Sequence, residues 1–123
     1  MTKILVADDS PFVLEIVETV LKSEGFEVIT ASDGIEAWDK IQKERPDIVI
    51  VDIIMPGLNG YQICEKIKHD EELKSLPVLV LTTKAQDKDI ELAQASGADL
   101  YMTKPFDPDE LAAKVRKFFE KKK

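Results

Sequence analysis

KILVADDSPF, Lys3 to Phe12, sets an unbroken apolar run, Ile4 to Ala7, ahead of two adjacent carboxylates, Asp8 and Asp9. A strand with one wet face alternates apolar and polar side chains, whereas a strand covered on both faces is apolar throughout. Ile4-Leu5-Val6-Ala7 is of the second kind and predicts a strand of a parallel sheet with helices above and below. Asp8 and Asp9 then fall at its carboxyl end. In open α/β sheets ligands bind along that edge, so the acidic pair reads as part of a site or as a solvated turn. Ser10-Pro11 follows as an N-cap with proline at the first helical position, and Val13, Ile16, Val17, Val20 and Leu21 recur at helical spacing up to Gly25.

The same unit repeats downstream. Phe26 to Thr30 predicts a second strand, and Ser32 a cap for a helix whose inner face carries Ala37, Trp38 and Ile41. After Pro46, DIVIVD (Asp47 to Asp52) is another wholly apolar strand ending in a carboxylate. The turn-rich IIMPGLNG leads to a helix over Tyr61 to Lys68, with Ile63 and Ile67 inward and His69 exposed at its end. PVLVLT, opened by Pro77, closes in Thr82; a helix from about Gln86 to Ser96 stops at Gly97. A short strand from Asp99 to Met102, then Lys104-Pro105, precedes a last helix started by Asp107-Pro108 and carrying Leu111, Val115, Phe118 and Phe119 on one face. Strands alternating with helices through short connections mean right-handed βαβ units. The expected fold is α/β, a doubly wound five-stranded parallel sheet of order 2-1-3-4-5 in a flavodoxin-like three-layer sandwich.

A chain of 123 residues, 44% hydrophobic and 33% charged, suits one domain with an adequate core, so residues 1–123 are expected to form a single unit. No apolar run approaches a membrane span, and MTKILVADDS turns acidic too early for a signal peptide; a cytoplasmic location is the expectation. The formal charge of -7 argues against direct nucleic-acid binding by this domain. Lys114, Arg116, Lys117 and Lys121 to Lys123 read as a solvated basic end to the last helix. Cys64, the only cysteine, reads as a small buried hydrophobe.

In the 2-1-3-4-5 order the first and third strands are neighbours, so Asp8 and Asp9 face Asp52 across the switch point. Crowded carboxylates repel and raise one another's pKa, and a hard divalent cation relieves that. Mg²⁺ takes one or two protein carboxylates, keeps waters and accepts a phosphoryl oxygen. Asp9, Asp52 and a main-chain carbonyl could supply its ligands, while Thr82 and Lys104, at matching strand ends, suit a phosphoryl group.

On these residues, over essentially all of its length, the chain resembles the receiver domain of two-component response regulators, of the chemotaxis-regulator type. Asp8-Asp9, Asp52 in VDIIMPGLNG, Thr82 after an apolar strand, and YMTKPF around Lys104-Pro105 occur in that family's order and spacing. The resemblance implies a phosphoryl-accepting switch rather than an enzyme acting on a free substrate. Asp52 is the implied acceptor, with a sensor histidine kinase or phosphotransfer protein as donor. Asp9, Asp52 and the Ile54 carbonyl are the implied Mg²⁺ ligands, with Asp8 holding a metal-bound water. Thr82, the Thr83 amide and Lys104 are the implied phosphoryl contacts. Ile54 and Lys84 border the entrance in the family.

The resemblance further implies that Thr82 and Tyr101 move together on phosphorylation, that Lys104-Pro105 is cis, and that the output surface for a downstream effector is the helix after Thr82 with the last strand and helix. Asp99, Lys114 and Arg116 fit the ion-pair set through which DNA-binding members dimerise, but Leu100, Ile90 and Ala95 break it. The expectation is a monomer when unphosphorylated, with dimerisation on phosphorylation left open. Three rivals are weighed. A flavin carrier would not put two negative charges in its first loop. An aspartyl-phosphate phosphatase would have an acid where Ile54 stands. A partner-binding domain without phosphoryl chemistry would not need the intact acidic set.

Overall fold

The computed structural model describes residues 2–84 and 86–120. Strands β1 (Lys3–Ala7), β2 (Glu27–Ala31), β3 (Ile48–Val51), β4 (Val78–Thr82) and β5 (Leu100–Thr103) alternate with helices α1 (Pro11–Ser23), α2 (Gly34–Glu44), α3 (Gly60–Lys68), α4 (Asp87–Ser96) and α5 (Pro108–Glu120). All strand pairs are parallel and the order is β2-β1-β3-β4-β5. The expected doubly wound α/β fold is therefore the observed one.

The continuous apolar strands serve two cores at once, because successive side chains leave opposite faces. Leu5, Ala7, Val49, Val51, Val78 and Val80 pack under α2, α3 and α4 with Ile41, Ile63, Cys64, Ile67 and Ala93. Ile4, Val6, Ile48, Ile50, Leu79 and Leu81 pack under α1 and α5 with Val17, Leu21, Leu111 and Val115. Fully burying each of these larger aliphatic side chains contributes about 2 kcal/mol. Trp38 lies half-buried against the first core, with the Lys66 ammonium 5.5 Å from its ring centroid. Cys64 is fully enclosed, and burial pushes its thiol up to about 12, which leaves it protonated and inert.

Local chemistry sets the helix ends. Ser10 Oγ accepts from the Val13 amide at 3.3 Å, with Pro11 at the first helical position as expected. At α2 the expected cap, Ser32, is corrected to Asp33, whose Oδ1 accepts from the Glu36 amide at 2.7 Å. The reason is register. Ala31 pairs with Ala7 and extends β2 one residue beyond its expected end, so the helix starts later. Ser32 instead donates its amide and hydroxyl to Glu36 Oε1, at 2.8 and 3.0 Å. The last strand also lies one residue later than expected, over Leu100–Thr103, because Asp99 spends its carboxylate on the Val78 amide at 2.8 Å. Lys121 to Lys123 lie outside the described residues.

Candidate functional site

The parallel ladder runs one residue past β1 and β3. Asp8 donates its amide to the Ala31 carbonyl and Asp52 its amide to the Ala7 carbonyl, each at 3.1 Å, which sets the two carboxylates side by side at the carboxyl edge. Lys104 arrives from the end of β5, its amide bonded to the Thr82 carbonyl at 2.7 Å and its peptide to Pro105 cis. Its ammonium lies between the acids, 2.5 Å from Asp8 Oδ2 and 2.8 Å from Asp52 Oδ2. Each carboxylate gives its other oxygen to the backbone: Asp8 Oδ1 accepts from the Ser10 amide at 2.9 Å and Asp52 Oδ1 from the Ile54 amide at 3.1 Å. Both acids are buried, and among the described residues no buried side-chain polar atom lacks a partner.

Asp9 is exposed on the rim. One carboxylate oxygen from each of Asp8, Asp9 and Asp52 lies within 4.8 Å of the others, so the sequence-predicted acidic trio does assemble. An all-oxygen, anionic donor set of this size fits a hard divalent cation such as Mg²⁺.

One cation shared by two buried anions leaves the group short of positive charge, and the pKa shifts follow. Burial pushes Asp8 above its ordinary value, and the Lys104 hydrogen bond and Ser10 amide offset this only in part. Burial alone would lower Lys104, but its hydrogen bonds to Asp52 and Asp8 together outweigh that and hold it above the ordinary lysine value. Lys104 gains from two partners, whereas Asp8 has half a partner and a low-dielectric setting. An acid raised in the folded state makes the fold bind protons more readily than the unfolded chain, so its stability contribution is lost as pH rises through the raised pKa. Asp8→Asn, which keeps an oxygen for the Ser10 amide, is accordingly expected to stabilise the protein at pH 7 by on the order of 1 kcal/mol. That gain should vanish as pH falls to about 4, near the ordinary carboxylate value. Urea midpoints across that range are the check; a gain that persists in acid would put its origin elsewhere.

Of the remaining predicted residues, only Ile54 bonds to these carboxylates, through its amide. Thr82 ends β4 fully buried, its Oγ1 accepting from the Lys84 amide at 3.4 Å. Thr83 is exposed, and Ile54 is 51% exposed at the start of the loop after β3. Tyr101 on β5 is half-buried and donates its hydroxyl to the Lys84 carbonyl. Two contacts were not foreseen from sequence. Lys104 engages Asp8 as well as Asp52, and Tyr61 donates its hydroxyl to the Asp89 carbonyl of α4 at 3.4 Å. Neither has a local sequence signal, since each spans elements brought together only by the sheet order.

A buried, lysine-bridged acid pair at the switch point of a 2-1-3-4-5 sheet defines a doubly wound α/β domain with an acidic ligand site at its carboxyl edge. Residues 4–116 match the response regulator receiver domain family, and the chain belongs to that family of two-component signal transduction. It is 43% identical over 114 residues to Protein PilG of Pseudomonas aeruginosa, covering 93% of this chain and 84% of that one. It is 40% identical over 114 residues to the DNA-binding response regulator MtrA of Mycolicibacterium smegmatis, covering 93% of this chain and 49% of that protein. The chain thus spans about half the length of the DNA-binding regulators it matches. Among solved structures, the chemotaxis response regulator CheY4 of Vibrio cholerae superposes with a TM-score of 0.90 at 35% identity, covering 95% of this chain and 98% of that one. Among the described residues no helix is long and apolar enough to cross a membrane.

Proposed function

We propose that residues 1–123 act as one receiver domain that takes a phosphoryl group onto Asp52 from a phosphohistidine of a sensor histidine kinase or phosphotransfer protein. The observation that carries this is the Lys104 ammonium seated between Asp8 and Asp52, 2.5 and 2.8 Å away, at the ligand-binding edge of the sheet. An Asp52 carboxylate oxygen bonds to phosphorus as the phosphorus–imidazole nitrogen bond breaks, and the departing imidazole takes a proton from solvent. Lys104 then turns its charge from the carboxylates to the phosphoryl oxygens, with the Thr82 hydroxyl and the Thr83 amide donating to the others. Asp8, Asp9, Asp52 and the Ile54 carbonyl would hold Mg²⁺, which when bound neutralises phosphoryl charge and aligns the donor. The domain promotes only its own phosphorylation and the hydrolysis that reverses it, so it is a switch and not an enzyme with a free substrate.

The added group brings about 1.5 to 2 negative charges. Thr82 and Tyr101 form the element that reads them and alters the α4, β5 and α5 face, where a downstream effector docks. That face holds a groove of about 420 Å³ lined by Ile90, Tyr101, Met102, Pro105 and Phe106 among others. Self-association through the ion pairs of DNA-binding members is disfavoured. Asp99 is committed to Lys68, at 3.3 Å, and to the Val78 amide, and Arg116 to Glu24. The unphosphorylated domain is then a cytoplasmic monomer without direct nucleic-acid contact, in keeping with its charge of -7.

Acetyl phosphate with Mg²⁺ is expected to add one phosphate by intact mass, with no adduct in Asp52→Asn and little in Asp9→Ala. Labelling that survives Asp52→Asn would overturn the assignment. Asp9→Ala removes an exposed rim charge that lies close to two other carboxylates, so in chelator it should match or exceed the parent's stability. It should also lose most of the parent's Mg²⁺-dependent rise in urea midpoint.

A further inference from the structure

The acceptor loop is tied to α4 by a chain of contacts that the phosphoryl reading does not use. Gly60, the first residue of α3, packs on the acceptor backbone: its amide donates to the Ile53 carbonyl at 3.0 Å, and a Cβ there would lie 2.6 Å from the Asp52 carbonyl oxygen. The next residue, Tyr61, lies half-buried against the same core cluster as Tyr101 and donates its hydroxyl to the Asp89 carbonyl in the first turn of α4. The Asp89 side chain is buried, with Lys84 Nζ 3.8 Å from its Oδ1. The Lys84 carbonyl in turn receives the Tyr101 hydroxyl. Two phenols thus meet at one ion pair: Tyr61 of α3 bonds to Asp89 and Tyr101 of β5 bonds to Lys84.

We infer that Tyr61 is a positioning residue of the switch: by anchoring the first turn of α4 to α3 it holds the Lys84 carbonyl where the Tyr101 hydroxyl reaches it. The idea deepens the proposed function and rests on that reading for its signalling consequence. A shift of the Asp52 backbone then reaches α4 by a second route, through Gly60 and Tyr61, beside the route through Thr82. At 3.4 Å the Tyr61 bond is long, so its effect is on placement more than on global stability.

The chain has two tyrosines, so 3-fluorotyrosine labelling gives one fluorine resonance each, assigned from Tyr61→Phe and Tyr101→Phe. In unmodified Tyr61→Phe, which keeps the ring and loses only the hydroxyl, the Tyr101 resonance is expected to move and its solvent isotope shift to grow. Amide exchange in the first turn of α4 should rise roughly threefold while the β1 and β3 amides stay unchanged. Lys84→Ala, an exposed position that leaves the cores intact, is expected to move the Tyr61 resonance through loss of the ion pair with Asp89. A Tyr101 resonance unmoved by Tyr61→Phe, or a Tyr61 resonance unmoved by Lys84→Ala, overturns the inference. All of these readings are taken without phosphate. A parent that refuses acetyl phosphate counts against the phosphoryl-acceptor reading alone, and the two failures are told apart.

Discussion

Lys104→Ala is expected to cost about 3 kcal/mol at pH 7 in metal-free buffer, because removing the shared cation strands two buried carboxylates. In the parent, Asp8 and Asp52 each face Lys104 Nζ within 2.8 Å, and the lysine side chain is only 13% exposed. Solvent therefore replaces the ammonium poorly. Asp8 is already above its ordinary value by burial despite the lysine, and without it rises further. The folded variant then binds protons more readily than its unfolded chain at pH above about 4. Its deficit should accordingly narrow as pH falls from 7 to 5. In the parent, Lys104 is raised, so the lysine's contribution is present below its ordinary 10.5 and is lost only as alkali passes the raised value. Urea titrations at pH 5 and 7, in chelator and in millimolar Mg²⁺, test this. The metal should recover more stability in the variant than it adds to the parent, since ion and ammonium compete for the same oxygens. A variant as stable as the parent in chelator would show that the carboxylates are solvated without the lysine.

Gly34→Ala is expected to lose about 3 kcal/mol, the upper end for overpacking, although alanine is the better helix former. Gly34 opens α2, donates its amide to the Pro56 carbonyl at 3.0 Å, and runs against the loop that follows Asp52. An added Cβ would lie 1.8 Å from the Leu58 carbonyl oxygen and 2.5 Å from its carbon, both backbone atoms that no rotamer change can clear. The loop must move, and with it the Ile54 amide that orients Asp52 Oδ1. Gly25→Ala is the contrast: its Cβ meets nothing within 4 Å and only the φ of +92° is strained, so about 1 kcal/mol is expected there. Urea midpoints of the two variants, with acetyl phosphate labelling of Asp52 in each, separate crowding from backbone strain. Equal losses would deny the contact with Leu58 its assigned weight.

The sheet was legible because its signal is local and redundant. Ile4 to Ala7, the DIVIVD run and PVLVLT are apolar on both faces, and short connections leave few topologies. Misreadings of one residue arose where two neighbours carry the same local chemistry. Ser32 and Asp33 are both good caps, and only the pairing of Ala31 with Ala7 chooses between them. The acidic trio was legible for the same reason as the strands, since Asp8, Asp9 and Asp52 follow directly from strand ends that the 2-1-3-4-5 order makes neighbours.

Composition and pattern alone thus point to a doubly wound α/β domain with its carboxylates at one edge, because burial on both strand faces dictates unbroken apolar runs and five short strand-helix units are too few to close a barrel. Tertiary structure alone decides how those carboxylates are held. Lys104 is 96 residues from Asp8 in sequence, and nothing in its neighbourhood states that its ammonium will lie between Asp8 and Asp52. The link from Tyr61 to Asp89, 28 residues apart, is equally silent in the chain. Hydrophobic burial is written in periodicity, which a sequence displays. The direction and range of a charged or phenolic side chain depend on where other elements end in space, which only the packed fold supplies.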